Sequence, residues 1–361
     1  MAIDDEIEET KRKLKETPVN KGTETARARL KSKIARLKEK KEKKQKESGG
    51  GKDGYAVKKR GDASVALVGP PSVGKSTLLN KLTNADSEVA NYEFTTLNVV
   101  PGMMKYKGAN IQILDVPGLI GGAAKGKGGG KEVLSVIRSC DMVVMMVDNK
   151  KMDGLKRMES ELYDSGIRLN KNEPNMRIKK TGSGGININS TFELSLDKDT
   201  IRDVLRDNGF LNCHVVIREN LSIDELIDGI MKNRVYIPSL SVLNKIDQLY
   251  HGNMKDFEEK NVVAISAFEG KNLEKLKESI WKKLRLMRIY MKKINKEPDK
   301  EEPLIVKKNS SIREVKDELP GNFQKELKYA RIWGKSSKFP GQKVGEDHIL
   351  KDEDVVELHF I

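Results

Sequence analysis

SVALVGPPSVGKS, residues 64–76, decides the fold. An apolar run, SVALVG, ends in a glycine, and GPPSVGKS (69–76) then carries the Gly-x4-Gly-Lys-Ser spacing. A helical pattern opens at Ser76 and runs over 76–82. Strand, glycine-bearing loop, helix is the context that the P-loop motif requires. Gly69, Pro70, Pro71, Ser72, Val73 and Gly74 would curl around phosphate groups. The helix N-terminus at Lys75, Ser76 and Thr77 would add its positive dipole end. Lys75 is placed to reach the β- and γ-phosphates, and the Ser76 hydroxyl to bind Mg²⁺.

Outward from that loop, the same texture repeats. IQILDV (111–116), MVVMMVD (142–148), SVLNKID (241–247) and NVVAISA (261–267) are short apolar runs of the kind that lie buried on both faces of a parallel sheet. Helical patterns fall between them, among them 131–138. The spacing predicts a doubly wound, mainly parallel α/β sheet, whose ligands sit at the carboxyl ends of the strands.

Two more strings lie at such ends. In ILDVPG, Asp115 closes a strand 39 residues after Ser76 (115 − 76), the position of the Walker B carboxylate aimed at Mg²⁺. Gly118 would let the backbone approach the γ-phosphate. NKID (244–247) follows the fourth run. A carboxylate at Asp247 accepts two hydrogen bonds from the N1–H and exocyclic amine of guanine, a donor pair that adenine lacks. Asp247 therefore selects GTP over ATP, with Lys245 along the base and Asn244 bracing the P-loop. Ser266-Ala267, after the fifth run, is expected to offer a backbone N–H to guanine O6. Thr96, in NYEFTTLN, is the first choice for the switch threonine that completes Mg²⁺ coordination, with Thr95 its rival. Tyr92 and Phe94 beside them either shield the nucleotide or simply pack.

At 361 residues the chain is too long for one ordinary core. No apolar run approaches the ~20 residues of a membrane span, so no membrane partner is expected. The opening MAIDDEIEET lacks an apolar signal core, and Cys140 and Cys213 lack ligand spacing; both point to the cytoplasm. Net charge is +14 (68 Lys+Arg less 54 Asp+Glu) and it is uneven: residues 1–60 hold 20 basic against 11 acidic side chains, residues 300–361 twelve of each. A basic end on a balanced body reads as an arm for RNA or the ribosome, against the alternative of a solvated helix. Leu30, Ile34 and Leu37 form its thin apolar stripe, on the longer of two helices within 4–47.

The P-loop, FTTL, DVPGLI followed by the glycine-rich GGAAKGKGGGKE, and NKID together resemble the Obg-related GTPases, and more closely the developmentally regulated GTP-binding proteins (DRG). The last 60 residues, with YARIWG and VGEDHILKDEDVVELHF, resemble a TGS domain, a small β-grasp module. The resemblance spans nearly the whole chain. It implies a cytoplasmic GTPase linked to ribosomes and translation, with a dedicated regulatory protein. Leu119 stands where Ras-type enzymes carry the water-orienting Gln, which implies slow intrinsic hydrolysis. Some relatives use K⁺ held partly by a P-loop Asn; this chain has Ser72 there, and K⁺ is carried as a second candidate cofactor beside Mg²⁺.

The expected organisation is a basic helical region at 1–60, a discontinuous GTPase domain at 61–150 and 236–293, an inserted α+β subdomain at 151–235, and the TGS-like domain at 294–361. In the insert, 175–196 alternates like a hairpin around 182–185, with helical runs at 199–208 and 222–232 flanking CHVVIR (213–218). A Lys/Arg-rich helix is expected over 272–293. The segment 121–130 reads as part of the second switch, or as a passive linker. Functionally, a GTP-operated switch acting on RNA or ribosome leads. An RNA-binding module whose nucleotide site only gates assembly is the alternative, and a metabolic kinase is disfavoured because it has no use for NKID.

Overall fold

The computed structural model describes residues 3–48, 60–83, 99–117, 130–148, 153–248, 262–319 and 326–361. The chain divides into two compact units, one of Met1–Gly54 with Lys171–Tyr236, the other of Tyr55–Asn170 with Ile237–Ile361.

In the second unit, six strands form one sheet in the spatial order Val262–Ala264, Ser239–Asn244, Met142–Asp148, Ala63–Val68, Ala109–Asp115, Val100–Tyr106. The first five run parallel. Ala63–Val68 and Met142–Asp148 are buried at every position, as continuous apolar runs covered on both faces must be. Register aligns Asp115 with Leu67 and Asn244 with Asp148, so the polar strand ends share one edge of the sheet.

The sixth strand, Val100–Tyr106, has no counterpart in the sequence reading. It joins antiparallel to Ala109–Asp115 through Lys107 and Gly108, both at positive φ (51° and 81°), the backbone of a tight hairpin turn. Pro101 and Gly102 disguise it. Proline is tolerated there because the strand is at the sheet edge. A Cβ on Gly102 would lie 2.6 Å from Thr83 Cγ2, so the glycine lets the P-loop helix, Lys75–Leu82, pack closely.

The helix expected over 272–293 is shorter: Leu273–Leu284, closed by Arg285 at φ +54°. Lys282 and Lys283 in its last turn suit the negative end of the helix dipole. Residues Leu286–Met291 instead form a strand of a second, five-stranded sheet, in the order Leu304–Lys307, Leu286–Met291, Asp354–Phe360, Leu327–Trp333, Gln342–Val344. Its core holds Met287, Ile289, Ile332 and Val356 beside the helix Ile312–Glu318. The last module thus begins at Leu286, earlier than the expected 294, because alternation in LMRIYM outweighs the basic helical pattern before it.

The first unit joins Met1–Gly54 and Lys171–Tyr236 in one body rather than two, while the first part of the expected insert, with the helix Gly154–Asp164 and the strand Ile167–Leu169, belongs to the second unit. The helix Glu24–Ser48 lays Ala28 and Ala35 into the core formed by Ile201, Val204, Leu205 and Val215. Small residues let two helices approach closely, and Ser32 between them accepts a hydrogen bond from Asn208 Nδ2 at 2.7 Å. The buried stripe is therefore Ala28–Ser32–Ala35 with Leu37, while Leu30 and Ile34 stay half-buried. Ion pairs frame the contact: Arg29–Asp207 at 2.9 Å and Lys31–Asp224 at 2.7 Å. The expected hairpin at 175–196 is also different. Met176–Lys180 and Ile186–Ser190 do not pair with each other; Cys213–Ile217 lies between them, antiparallel to the first and parallel to the second.

Candidate nucleotide-binding site

Val68 ends the P-loop strand and Gly69 begins the turn. A Cβ at Gly69 would sit 2.5 Å from Met146 O, so only glycine lets the loop leave between the strands. Gly74 is left-handed at φ +95°, and a Cβ there would meet Asn244 Nδ2 at 2.5 Å. The two P-loop glycines answer two separate steric demands.

Lys75 Nζ lies over the loop, donating to Gly69 O at 3.2 Å and Pro70 O at 3.4 Å. Burial lowers its pKa from the ordinary lysine value, and the Asp115 charge opposes that shift. Ser76 Oγ donates to Asp115 Oδ2 at 2.6 Å, across the 39 residues that separate them in sequence. Asp115 is 8% exposed. A hydroxyl and a carboxylate are thereby brought together beside the lysine.

The NKID segment ends its strand against the same loop. Asn244, 3% exposed, donates from Nδ2 to Val73 O at 2.8 Å, and its Oδ1 accepts from Ala267 N–H at 2.9 Å. It ties the P-loop to the 266–267 loop. The Ala267 amide, expected on guanine O6, is in this arrangement committed to Asn244. Lys245, at φ +65°, donates from Nζ to Ser72 O at 2.6 Å and lies 3.5 Å from Asp148 Oδ2. Asp148 is 5% exposed, and its Oδ1 has no hydrogen-bond partner among the described residues. Asp247 accepts from Ser266 Oγ at 2.5 Å, which fixes the carboxylate while its other oxygen stays open.

These residues surround one cleft of about 560 Å³, lined by Ser72, Gly74, Lys75, Ser76, Thr77, Asn244, Lys245 and Asp247 together with Gln248, Ala267 and Phe268. Phosphate-gripping and base-reading groups thus face a single space. The sequence reading missed Gln248 and Phe268, neither of which belongs to a motif. Phe268 is 79% exposed at the rim, and its one signal was its place directly after Ser266-Ala267. Thr95, Thr96, Gly118 and Leu119 lie outside the described residues, as do Tyr92, Phe94 and 121–129.

The family described as "50S ribosome-binding GTPase" matches residues 64–180, the C-terminal region of that domain matches 183–286, and the TGS domain matches 287–360. An uncharacterized GTP-binding protein of Halobacterium salinarum is 48% identical over 99% of each chain. Developmentally-regulated GTP-binding protein 2 of Homo sapiens is 41% identical, again over 99% of both. The chain belongs to the DRG family of GTPases. Among solved structures, the YchF GTPase of Schizosaccharomyces pombe covers 85% of this chain and 100% of its own, at 12% identity and a TM-score of 0.46. The TGS match starts at Leu286's neighbour, Met287, in step with the strand that opens the second sheet of this DRG-family chain. No helix among the described residues is long and apolar enough to cross a membrane.

Proposed function

We propose that this protein is a GTP-operated switch that acts on RNA or the ribosome in translation, in the cytoplasm, with a dedicated regulatory protein. The observation that carries the reading is the shared cleft. Asp247 at one end offers the acceptor pair that suits guanine, and Lys75 with the Ser76–Asp115 pair at the other suits a triphosphate. Hydroxyl and carboxylate oxygens are hard donors of the type Mg²⁺ takes, so Ser76 and Asp115, with Thr96 completing the set, fit that ion. When bound it would neutralise charge on the β- and γ-oxygens. Lys75 grips the same oxygens, and Asn244 and Lys245 hold the loop shaped for them.

Hydrolysis in this reading is slow. Leu119 has an alkyl side chain that cannot orient water, so a partner or a monovalent cation such as K⁺ supplies the acceleration. Thr96 and Gly118 are the groups through which the γ-phosphate would reorganise the surface. The basic first helices and the TGS module offer the surface for RNA or ribosome. Lys15, Lys21 and Lys40 are exposed there without an ion pair among the described residues.

Removing residues 1–60 would strip Ala28 and Ala35 from the core they fill, so charge neutralisation is the cleaner test. Ribosome co-sedimentation of the full chain should be strongest with a non-hydrolysable GTP analogue and weaker with GDP. The K15Q/K21Q/K40Q variant should sediment less in both states. Equal sedimentation with analogue, GDP and no nucleotide would overturn the switch. Single-turnover rates equal in K⁺ and Na⁺ buffers, with and without ribosomes, would remove the acceleration.

A further inference from the structure

The three-stranded sheet of the first unit has two unlike faces. One packs Met176, Ile178, Ile188, Val215 and Ile217 against the helices. Because side chains alternate across a strand, the residues between these point the other way. That outer face carries Arg177 and Lys179 on one edge strand, Asn187 and Asn189 on the other, and His214 on the central strand, with Arg218 just beyond its end. All six are exposed. Register sets them in rows: Lys179 and Asn187 both flank His214, and Arg177 and Asn189 both flank Val216.

Arg177, Lys179 and Arg218 make no ion pair among the described residues, whereas Arg29, Lys31, Lys33 and Lys41 of this unit's helix Glu24–Ser48 are each paired. The rows themselves carry no carboxylate. Register and strand spacing put Arg177 ~7 Å from Lys179 and ~8 Å from Arg218, and such uncompensated cations on one face repel one another unless an anion joins them.

We propose that this sheet face binds the ribose–phosphate backbone of RNA. Cations alone would suit any polyanion, including an acidic protein segment. The residues between them decide the class. Asn187, Asn189 and His214 both donate and accept hydrogen bonds, which suits ribose 2′-hydroxyls; a string of carboxylates offers only acceptors. Beside the His214 imidazole, the described residues of the face include no Phe, Tyr or Trp ring for stacking bases, so contact is mainly with backbone and tolerates sequence. The inference rests on the RNA reading above and assigns it a second surface, separate from the basic helices.

The test compares full-length wild type with R177Q/K179Q/R218Q, using a fluorescent 20-nucleotide single-stranded RNA titrated from 50 to 200 mM KCl. A K15Q/K21Q/K40Q protein and a polyglutamate peptide of similar charge run in parallel. GDP affinity and the thermal midpoint should match wild type in both variants, since the substituted side chains are exposed. Each phosphate contact contributes a salt slope of about 0.7 for a single strand, so loss of three lowers the slope by about 2. The advantage of wild type over the variant should then shrink about 18-fold between 50 and 200 mM salt. A variant with unchanged affinity and slope, beside a weakened K15Q/K21Q/K40Q protein, overturns this surface and leaves the general reading standing. Polyglutamate bound as tightly and through the same three cations overturns RNA as the partner class. A wild type that binds no RNA overturns both.

Discussion

Asn244→Ala should do more damage to nucleotide binding than its distance from the phosphates suggests. The side chain joins two loops: its Nδ2 donates to Val73 O at 2.8 Å, and its Oδ1 accepts from Ala267 N–H at 2.9 Å. Both bonds are buried, so truncation leaves a carbonyl and an amide without partners. Each orphaned buried group costs about 1–3 kcal/mol. Part of that cost is relieved by loop relaxation, leaving about 2–4 kcal/mol, or roughly 30- to 1,000-fold in affinity if it falls on the bound state. Titration with a fluorescent GDP, alongside a thermal melt, separates lost affinity from lost stability. Asn244→Asp sharpens the reading. It keeps an acceptor for Ala267 N–H but sets a carboxylate oxygen against Val73 O, so it should weaken binding at least as much as alanine. GDP affinity within twofold of wild type and an unchanged melt for Asn244→Ala would refute the bracing role.

Gly69→Ala places a Cβ 2.5 Å from Met146 O, a backbone atom that cannot step aside, and should cost about 1–3 kcal/mol in denaturant unfolding. Ala28→Leu, at a fully buried helix contact, should destabilise by a similar overpacking cost of about 1–3 kcal/mol and leave GDP affinity unchanged. Glu278 receives hydrogen bonds from Lys107 and Tyr106, which hold its carboxyl down at about 2; the same contact pushes the Tyr106 hydroxyl up to about 12, burial being the larger cause there. Its folded value lies below the unfolded one of about 4.3. The stabilisation is therefore full above that value and disappears as pH falls toward 2. Glu278→Gln should remove that part of the acid slope, which urea melts between pH 5 and pH 2.5 would show.

The nucleotide sheet was legible because its strands are continuous apolar runs and its chemistry sits in short strings at their ends. Ser76 and Asp115 could be paired in advance, since strand order in a doubly wound sheet brings their ends together. What stayed hidden has physical causes. Val100–Tyr106 carries Pro101 and Gly102, which read as a break but are admissible on an edge strand. Leu286–Met291 follows a basic helix without punctuation beyond one left-handed arginine. The insert's sheet takes its central strand, Cys213–Ile217, from more than twenty residues downstream, and local alternation says nothing about such pairing. The docking face Ala28–Ser32–Ala35 is invisible to a hydrophobicity count because closeness, rather than apolar area, is what small residues contribute. Phe268 and Gln248 line the cleft by position alone.

Competition of GTP and ATP for the purified full-length protein, in wild type and Asp247→Asn, bears most directly on the guanine reading. Two hydrogen bonds to a charged acceptor at about 1.5–3 kcal/mol each predict a preference for GTP of roughly 10² or more, lost or greatly reduced in the variant. Equal affinity for the two nucleotides in wild type, or a preference untouched by Asp247→Asn, would contradict it.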